Sequence, residues 1–231
     1  MISEMLRRIL DVLSPRCCAM CGQRLPMGVD TICMSCNFTL PRTNYASDPY
    51  ENDMAKQFWA KFKVERAAAW FYYRPKAKTS KMVHDLKYHN HPQLAQQVGY
   101  VAATEFADCG FFEGIDMIIP VPITKKRKRE RGYNQCLEIA RGVNQVTGIP
   151  IADDVLQRSV FVKSQTYMSA KERIENVKDA FKLIAPDKIK DRHVLLIDDI
   201  VTTGSTLSEC GYELAKADNV RISIMALGKT R

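Results

Sequence analysis

Apolar residues at positions 2, 5, 6, 9, 10 and 13 recur at the spacing of one helix face, and Ser14-Pro15 stops the run. Residues 2–13 therefore read as a short amphipathic helix. The periodicity is lost over 16–40. Residues 41–66 form a polar, proline-containing connector with room for a helical turn at its end. From residue 67 the pattern changes. AAAWFYY (67–73) has the apolar and aromatic density of a strand, with its rings read as core rather than as stacking surfaces. Helices are predicted over about 77–88 and over 93–108, where Leu94, Val98, Val101, Ala102 and Phe106 share a face. IDMIIPV (115–121) reads as a buried strand, 133–146 as a helix and IPIADDVL (149–156) as a strand. HVLLIDD (193–199) predicts a buried strand, Thr206 to Ala217 a helix, and VRISIMALG (220–228) a last strand. Strands alternating with helices predict an α/β fold, a mostly parallel sheet with helices on both faces.

At 231 residues, 46% of them hydrophobic, the chain can bury a proper core and carry a small extra module. No apolar run approaches a membrane span, so no membrane insertion is expected. Glu4, Arg7, Arg8 and Asp11 interrupt the first segment as no secretory leader would tolerate, which points to the cytoplasm. The net charge is +8, yet KKRKRER (125–131) alone holds six bases and one acid. The excess is a local anion site rather than a uniformly cationic surface. Three readings compete for this stretch: a nuclear-import signal, a solvated charge run, or a contact to diphosphate or nucleic acid.

Five of the eight cysteines lie within 17–36. Cys18-x2-Cys21, eleven residues, then Cys33-x2-Cys36 aims two thiolate pairs at one point. Four sulfurs in that arrangement suit a structural Zn²⁺, because a segment of this size buries little core unaided. A redox role for C-x-x-C is the competing reading, and Cys17 is a spare. Near the other end, VLLIDDIVTTGST (194–206) places Asp198 and Asp199 at the carboxyl end of a buried strand. Acids there need donors. Thr202, Thr203, Gly204, Ser205 and Thr206 then open a helix, offering hydroxyls and free N–H groups to a phosphate. Carboxylates for sugar hydroxyls beside a phosphate cradle describe a phosphosugar site. Residues 157–180, with Arg158, Lys163, Gln165, Lys171, Arg173 and Asn176 and few apolar positions, read either as a closing flap or as an ordinary surface loop. His84, His89, His91 and His193 are given no catalytic role.

Residues 194–206 resemble the phosphoribosyl pyrophosphate (PRPP) signature of type I phosphoribosyltransferases. The whole chain resembles the ComF (ComFC/GntX-like) family, through CAMCG, CMSC, LKYHN (86–90), PVPITKKRKRERGYNQ (120–135) and Gln165…Arg173…Asn176…Ala180-Phe181. The resemblance implies an N-terminal helix and four-cysteine zinc finger (1–45), a connector (46–66) and a type I phosphoribosyltransferase-like domain (67–231). It implies that Asp198 and Asp199 bind the ribose hydroxyls, with Mg²⁺ accompanying PRPP, and that 202–206 hold the 5′-phosphate. Arg127 and Arg131, with Lys87, would meet the pyrophosphate or an anionic acceptor, and Gln165, Arg173 and Asn176 would lie on the flap. The family's link to natural competence implies single-stranded DNA and competence proteins as partners. Two functions follow from it: transfer of the phosphoribosyl group from PRPP, or a non-catalytic single-stranded-DNA-binding or regulatory protein that uses the fold as a ligand sensor.

Overall fold

The computed structural model describes residues 15–88, 91–158 and 180–231. The predicted helix over 2–13 and the flap residues Gln165, Arg173 and Asn176 lie outside the described residues. Six strands are present among the described residues: β1 (Ala67–Tyr73), β2 (Met117–Pro120), β3 (Leu156–Arg158), β4 (Phe181–Leu183), β5 (His193–Val201) and β6 (Arg221–Thr230). The α-helices are α1 (Met34–Phe38), α2 (Asp53–Trp59), α3 (Lys78–Tyr88), α4 (Pro92–Ala107), α5 (Lys125–Arg131), α6 (Gln135–Thr147) and α7 (Ser205–Leu214). None of them is long and apolar enough to cross a membrane.

Four strands pair in parallel in the order β1-β6-β5-β2, as the alternation of strand and helix patterns predicts. Val194, Leu195, Leu196 and Ile197 are all inaccessible. Successive strand residues face opposite ways, so both faces of β5 are covered. That double burial is why the strand reads as an unbroken apolar run. Trp70 and Phe71 are core residues, with the Trp70 indole donating to Glu105 Oε2 at 2.8 Å. His193 is a buried, satisfied histidine, its ring nitrogens 3.0 Å from Gly114 O and 2.8 Å from Ser223 Oγ.

The segment 149–156 is not the strand that its apolar residues suggest. Ile151 makes one isolated bridge to Ile118, and a turn at Asp153-Asp154 breaks the chain there. Only at Leu156 does β3 begin, pairing antiparallel with β4. The connector is more built than its polarity implies. Asn52 caps α2, its side chain accepting from Met54 N and Ala55 N at 2.9 and 3.0 Å, and Met54, Ala55 and Phe58 enter the core. Arg42 joins this region to the helices through two hydrogen bonds to Glu105, at 2.8 and 2.6 Å.

Helices α4 and α6 touch backbone to backbone. A methyl group built on Gly142 would lie 2.0 Å from the Gln96 carbonyl oxygen, and one on Gly99 would lie 2.4 Å from that of Ile139. Gly142→Ala is therefore expected to force the helices apart at a cost of about 1–3 kcal/mol. A urea titration reads this directly, and an unchanged midpoint would mean that the contact yields freely.

Candidate phosphosugar site and cysteine knuckle

Asp198 and Asp199 stand near the carboxyl end of β5, where open parallel sheets take ligands. Their acceptor positions are largely occupied by the protein itself. Asp199 Oδ2 lies 3.0 Å from Lys87 Nζ and accepts from Gln135 Nε2 at 3.2 Å, while Oδ1 accepts from Ile200 N at 2.6 Å. Asp198 Oδ1 accepts from Asp199 N at 2.8 Å and from the Cys136 thiol at 3.4 Å. Burial, and then the adjacent Asp199 carboxylate, push Asp198 up to about 7. Lys87 lies against Asp199 rather than against Asp198, so the surroundings of the two acids are asymmetric.

These acids share a cavity of about 130 Å³ with Lys87, Arg127, Arg131, Gln135, Arg158 and Thr206. Four cations from three separate elements thus meet two carboxylates. Helix α5 explains the first two arginines. Thr124 caps it, its hydroxyl accepting from Arg127 N at 3.2 Å, and Gly132 ends it in the left-handed region at φ 81°. Arg127 and Arg131 are four residues apart, hence on one face, and that face lines the cavity. Lys125, Lys126, Lys128 and Arg129 are exposed. The basic stretch is therefore split by a helix that its uninterrupted charge conceals. Arg131 also donates to Gln135 Oε1 at 2.9 Å and stacks over Tyr88, 5.6 Å from the ring centre.

Beyond Ile200 the chain turns through 202–204 into α7. Gly204 adopts φ 71°. A side chain there would be strained and would meet Gln57 Nε2 at 2.8 Å. Thr202, Thr203 and Ser205 are exposed, with the Thr203 and Ser205 hydroxyls 2.9 Å apart. Thr206 reaches the cavity, whereas Thr202, Thr203, Gly204 and Ser205 are not among its lining residues. Gln135 and Arg158 also line the cavity, where the sequence offered Gln135 only as part of RGYNQ and Arg158 only as part of the flap-or-loop segment 157–180. Gln135 closes the RGYNQ stretch, so its signal was in view. Arg158 depends on the short β3–β4 pairing, which no local pattern announces. Burial, followed by the nearby Arg127 charge, lowers its pKa.

The sulfur atoms of Cys18, Cys21, Cys33 and Cys36 all lie within 4.8 Å of one another. A tetrahedron with metal–sulfur bonds of about 2.3 Å has edges of about 3.8 Å. Cys21 and Cys33 are 3.8 Å apart. Burial opposes ionisation of Cys18, yet backbone N–H groups of Cys33, Cys21 and Met20 outweigh it and hold the thiol down to about 6. Burial and the neighbouring sulfurs push Cys36 up to about 12, the mark of a group that needs a cation to ionise. Cys17 is exposed and outside the cluster.

No protein-family model matches the chain. It is 35% identical over 115 residues to Competence protein F of Haemophilus influenzae, covering 49% of this chain and 50% of that protein. It is 27% identical over 154 residues to DNA utilization protein YhgH of Escherichia coli strain K12, covering 65% and 67%. A longer match, 24% identical over 225 residues, covers 93% of this chain and 79% of Competence protein ComFC of Bacillus subtilis. The match thus spans about half the length of the Haemophilus protein. Among solved structures, a purine phosphoribosyltransferase from Pyrococcus horikoshii overlaps 58% of this chain and 80% of its own, at 15% identity and a TM-score of 0.36. The fold class rests on the sheet itself rather than on that overlap.

Proposed function

We propose that this relative of the ComF proteins binds a phosphoribosyl ligand of the PRPP type at the carboxyl end of β5, and that it serves the handling of DNA. The observation that carries the reading is the convergence of Asp198 and Asp199 with Lys87, Arg127, Arg131 and Arg158 on one cavity, beside the turn that opens α7. Carboxylates accept from ribose hydroxyls. The N–H groups and hydroxyls of 202–206 suit a 5′-phosphate. The arginines suit a diphosphate, which they would stabilise as it departs in a transfer reaction. Asp198 and Asp199 are also the groups that would hold Mg²⁺, whose chemistry is to neutralise diphosphate charge. Zn²⁺ is the metal that fits the four thiolates of the knuckle, in a structural role with no open position.

Calorimetric titration with PRPP and Mg²⁺ tests the site. The near-isosteric Asp198→Asn, Asp199→Asn double variant should lose most affinity, since each charge-assisted hydrogen bond contributes roughly 1.5–3 kcal/mol. A wild-type protein that binds neither PRPP nor ribose 5-phosphate would end this reading.

A second reading, single-stranded-DNA binding, is favoured by the outer face of α5, where Lys125, Lys126, Lys128 and Arg129 stand in solvent. Each phosphate contact contributes about −0.7 to the slope of log affinity against log salt. Replacing these four residues with Gln should flatten that slope while sparing PRPP. An unaltered slope would place DNA binding on another surface.

A further inference from the structure

We propose that Lys87 sets the selectivity of the phosphoribosyl site: it pairs with Asp199 in the free protein, moves to the diphosphate of an incoming ligand, and so keeps the sugar contact for ligands that carry one. The class selected is a ribose 5-phosphate bearing an anionic group at its anomeric carbon. Ribose 5-phosphate itself and nucleoside 5′-monophosphates are penalised. The inference deepens the phosphoribosyl reading and rests on it.

The Lys87 ammonium stands 3.0 Å from Asp199 Oδ2, on the acid rather than beside the arginines alone. The same oxygen accepts from Gln135 Nε2 at 3.2 Å, and Oδ1 accepts from Ile200 N at 2.6 Å. The Asp199 side chain is 7% exposed, against 25% for that of Lys87. Both oxygens of a nearly closed carboxylate are thus engaged before a sugar arrives. A ribose hydroxyl brings a dipole and no charge. It cannot displace the ammonium without leaving a buried carboxylate unpaired, and breaking such a pair is costly. Asp198 is held differently: its Oδ1 accepts from Asp199 N and from the Cys136 thiol, neither of them charged.

A diphosphate changes the balance. Lys87 lines the same cavity as Arg127, Arg131 and Arg158, so an anion gathered by the arginines lies within the sweep of its four-carbon stem. Only that stem has to move. The Tyr133 hydroxyl donates to the Leu86 carbonyl at 2.7 Å, and Leu86 is inaccessible, which pins the backbone at the end of α3. Once Lys87 has an anionic partner elsewhere, Asp199 can take the sugar hydroxyls. Diphosphate and ribose therefore assist each other, and the assistance is reciprocal, as linkage requires. In a transfer reaction the departing pyrophosphate would return Lys87 to Asp199 and loosen the sugar that remains.

The test is calorimetry on the zinc-loaded full chain with inorganic pyrophosphate, without added magnesium and well above pH 7, so that Asp198→Asn also removes a charge. Asp199→Asn frees Lys87, whereas Asp198→Asn leaves the Lys87–Asp199 pair in place. Both variants should bind pyrophosphate more tightly than wild type because repulsion is relieved. Asp199→Asn should gain about tenfold more, the worth of one charge-assisted contact. In a Lys87→Met background that excess should vanish, as a double-mutant cycle reads directly. Equal gains in the two Asn variants, or an excess that survives Lys87→Met, overturns the proposal. The sugar side has its own readout. Lys87→Met should weaken PRPP and tighten ribose 5-phosphate. A Lys87 that merely binds diphosphate would leave ribose 5-phosphate unchanged, and a merely structural one would weaken both ligands; either result overturns the gating. Should Lys87→Met fail to fold, the comparison of the two Asn variants decides alone. A wild-type protein that binds neither PRPP nor ribose 5-phosphate ends the phosphoribosyl reading and this inference with it. Binding of both without the Asp199→Asn excess ends the inference only.

Discussion

Cys36→Ala is expected to abolish stoichiometric zinc and to melt the knuckle. The local structure around the four sulfurs is thin. Ala19 N donates to Thr31 O at 2.9 Å, Cys18 N to Gln23 O at 2.8 Å and Gly22 N to Cys18 O at 2.8 Å. Met20, Leu25, Ile32 and Leu40 are the main apolar side chains it buries. That is too little to offset the ordering entropy of some twenty residues at about 1–2 kcal/mol each. The metal must supply the difference, and structural zinc in finger peptides contributes about 10–16 kcal/mol at neutral pH. Elemental analysis should fall from one zinc per chain to near none. Trypsin should then cut at Arg16 and Arg24 in the variant and spare them in the parent. Full zinc occupancy in Cys36→Ala would show that three cysteines suffice.

PRPP affinity should rise steeply with pH and level off above about 7. Asp198 carries a pKa of about 7 in the folded protein against an ordinary 3.8, so the folded state holds a proton there that the unfolded chain has released. The sign follows from that difference. Stability from this group is present at low pH and is lost as pH rises toward 7. A ligand that needs the ionised carboxylate binds against that proton. Its affinity should drop about tenfold per pH unit below 7, hence about a hundredfold between pH 7 and 5. The ligand's own phosphates titrate near 6 and add to the slope. Asp198→Asn separates the two effects: it should remove the protein's share of the slope, lower the plateau and stabilise the free protein at pH 8. A wild-type profile identical to that of Asp198→Asn would mean that Asp198 takes no part in binding.

Much of this arrangement was legible in the sequence, and the exceptions have physical causes. The parallel sheet was readable because double burial makes strands such as 193–201 continuously apolar. The knuckle was readable because thiolates converge only at particular spacings. The ComF resemblance, drawn from the cysteine pairs, RGYNQ and VLLIDDIVTTGST, is matched by relatives with competence and DNA-utilisation names. Helix α5 was missed because charge on every side leaves no apolar stripe to follow. Its ends were nonetheless marked, by Thr124 before it and Gly132 after it. IPIADDVL misled because its apolar residues mimic a strand while Asp153-Asp154 turns the backbone. Arg158 arrives through pairing between segments far apart in the chain, which no window of sequence contains.

The strand order has a consequence for how the chain is made. Among the described residues, β1 is the first strand made, and its single neighbour in the main sheet is β6, the last of them in sequence. On the ribosome β1 therefore emerges with only residues 41–43 to bond along one edge, and its other edge stays open while the intervening strands and helices are translated. Its AAAWFYY run would present one apolar, unpaired edge to solvent throughout that interval. Closure of the sheet waits on β6, which inserts between β1 and β5 and zips both ladders together. Such non-local pairing makes for slow folding. A nascent chain stalled before residue 221 would hold β2 and β5 as a pair and leave β1 a client for chaperones.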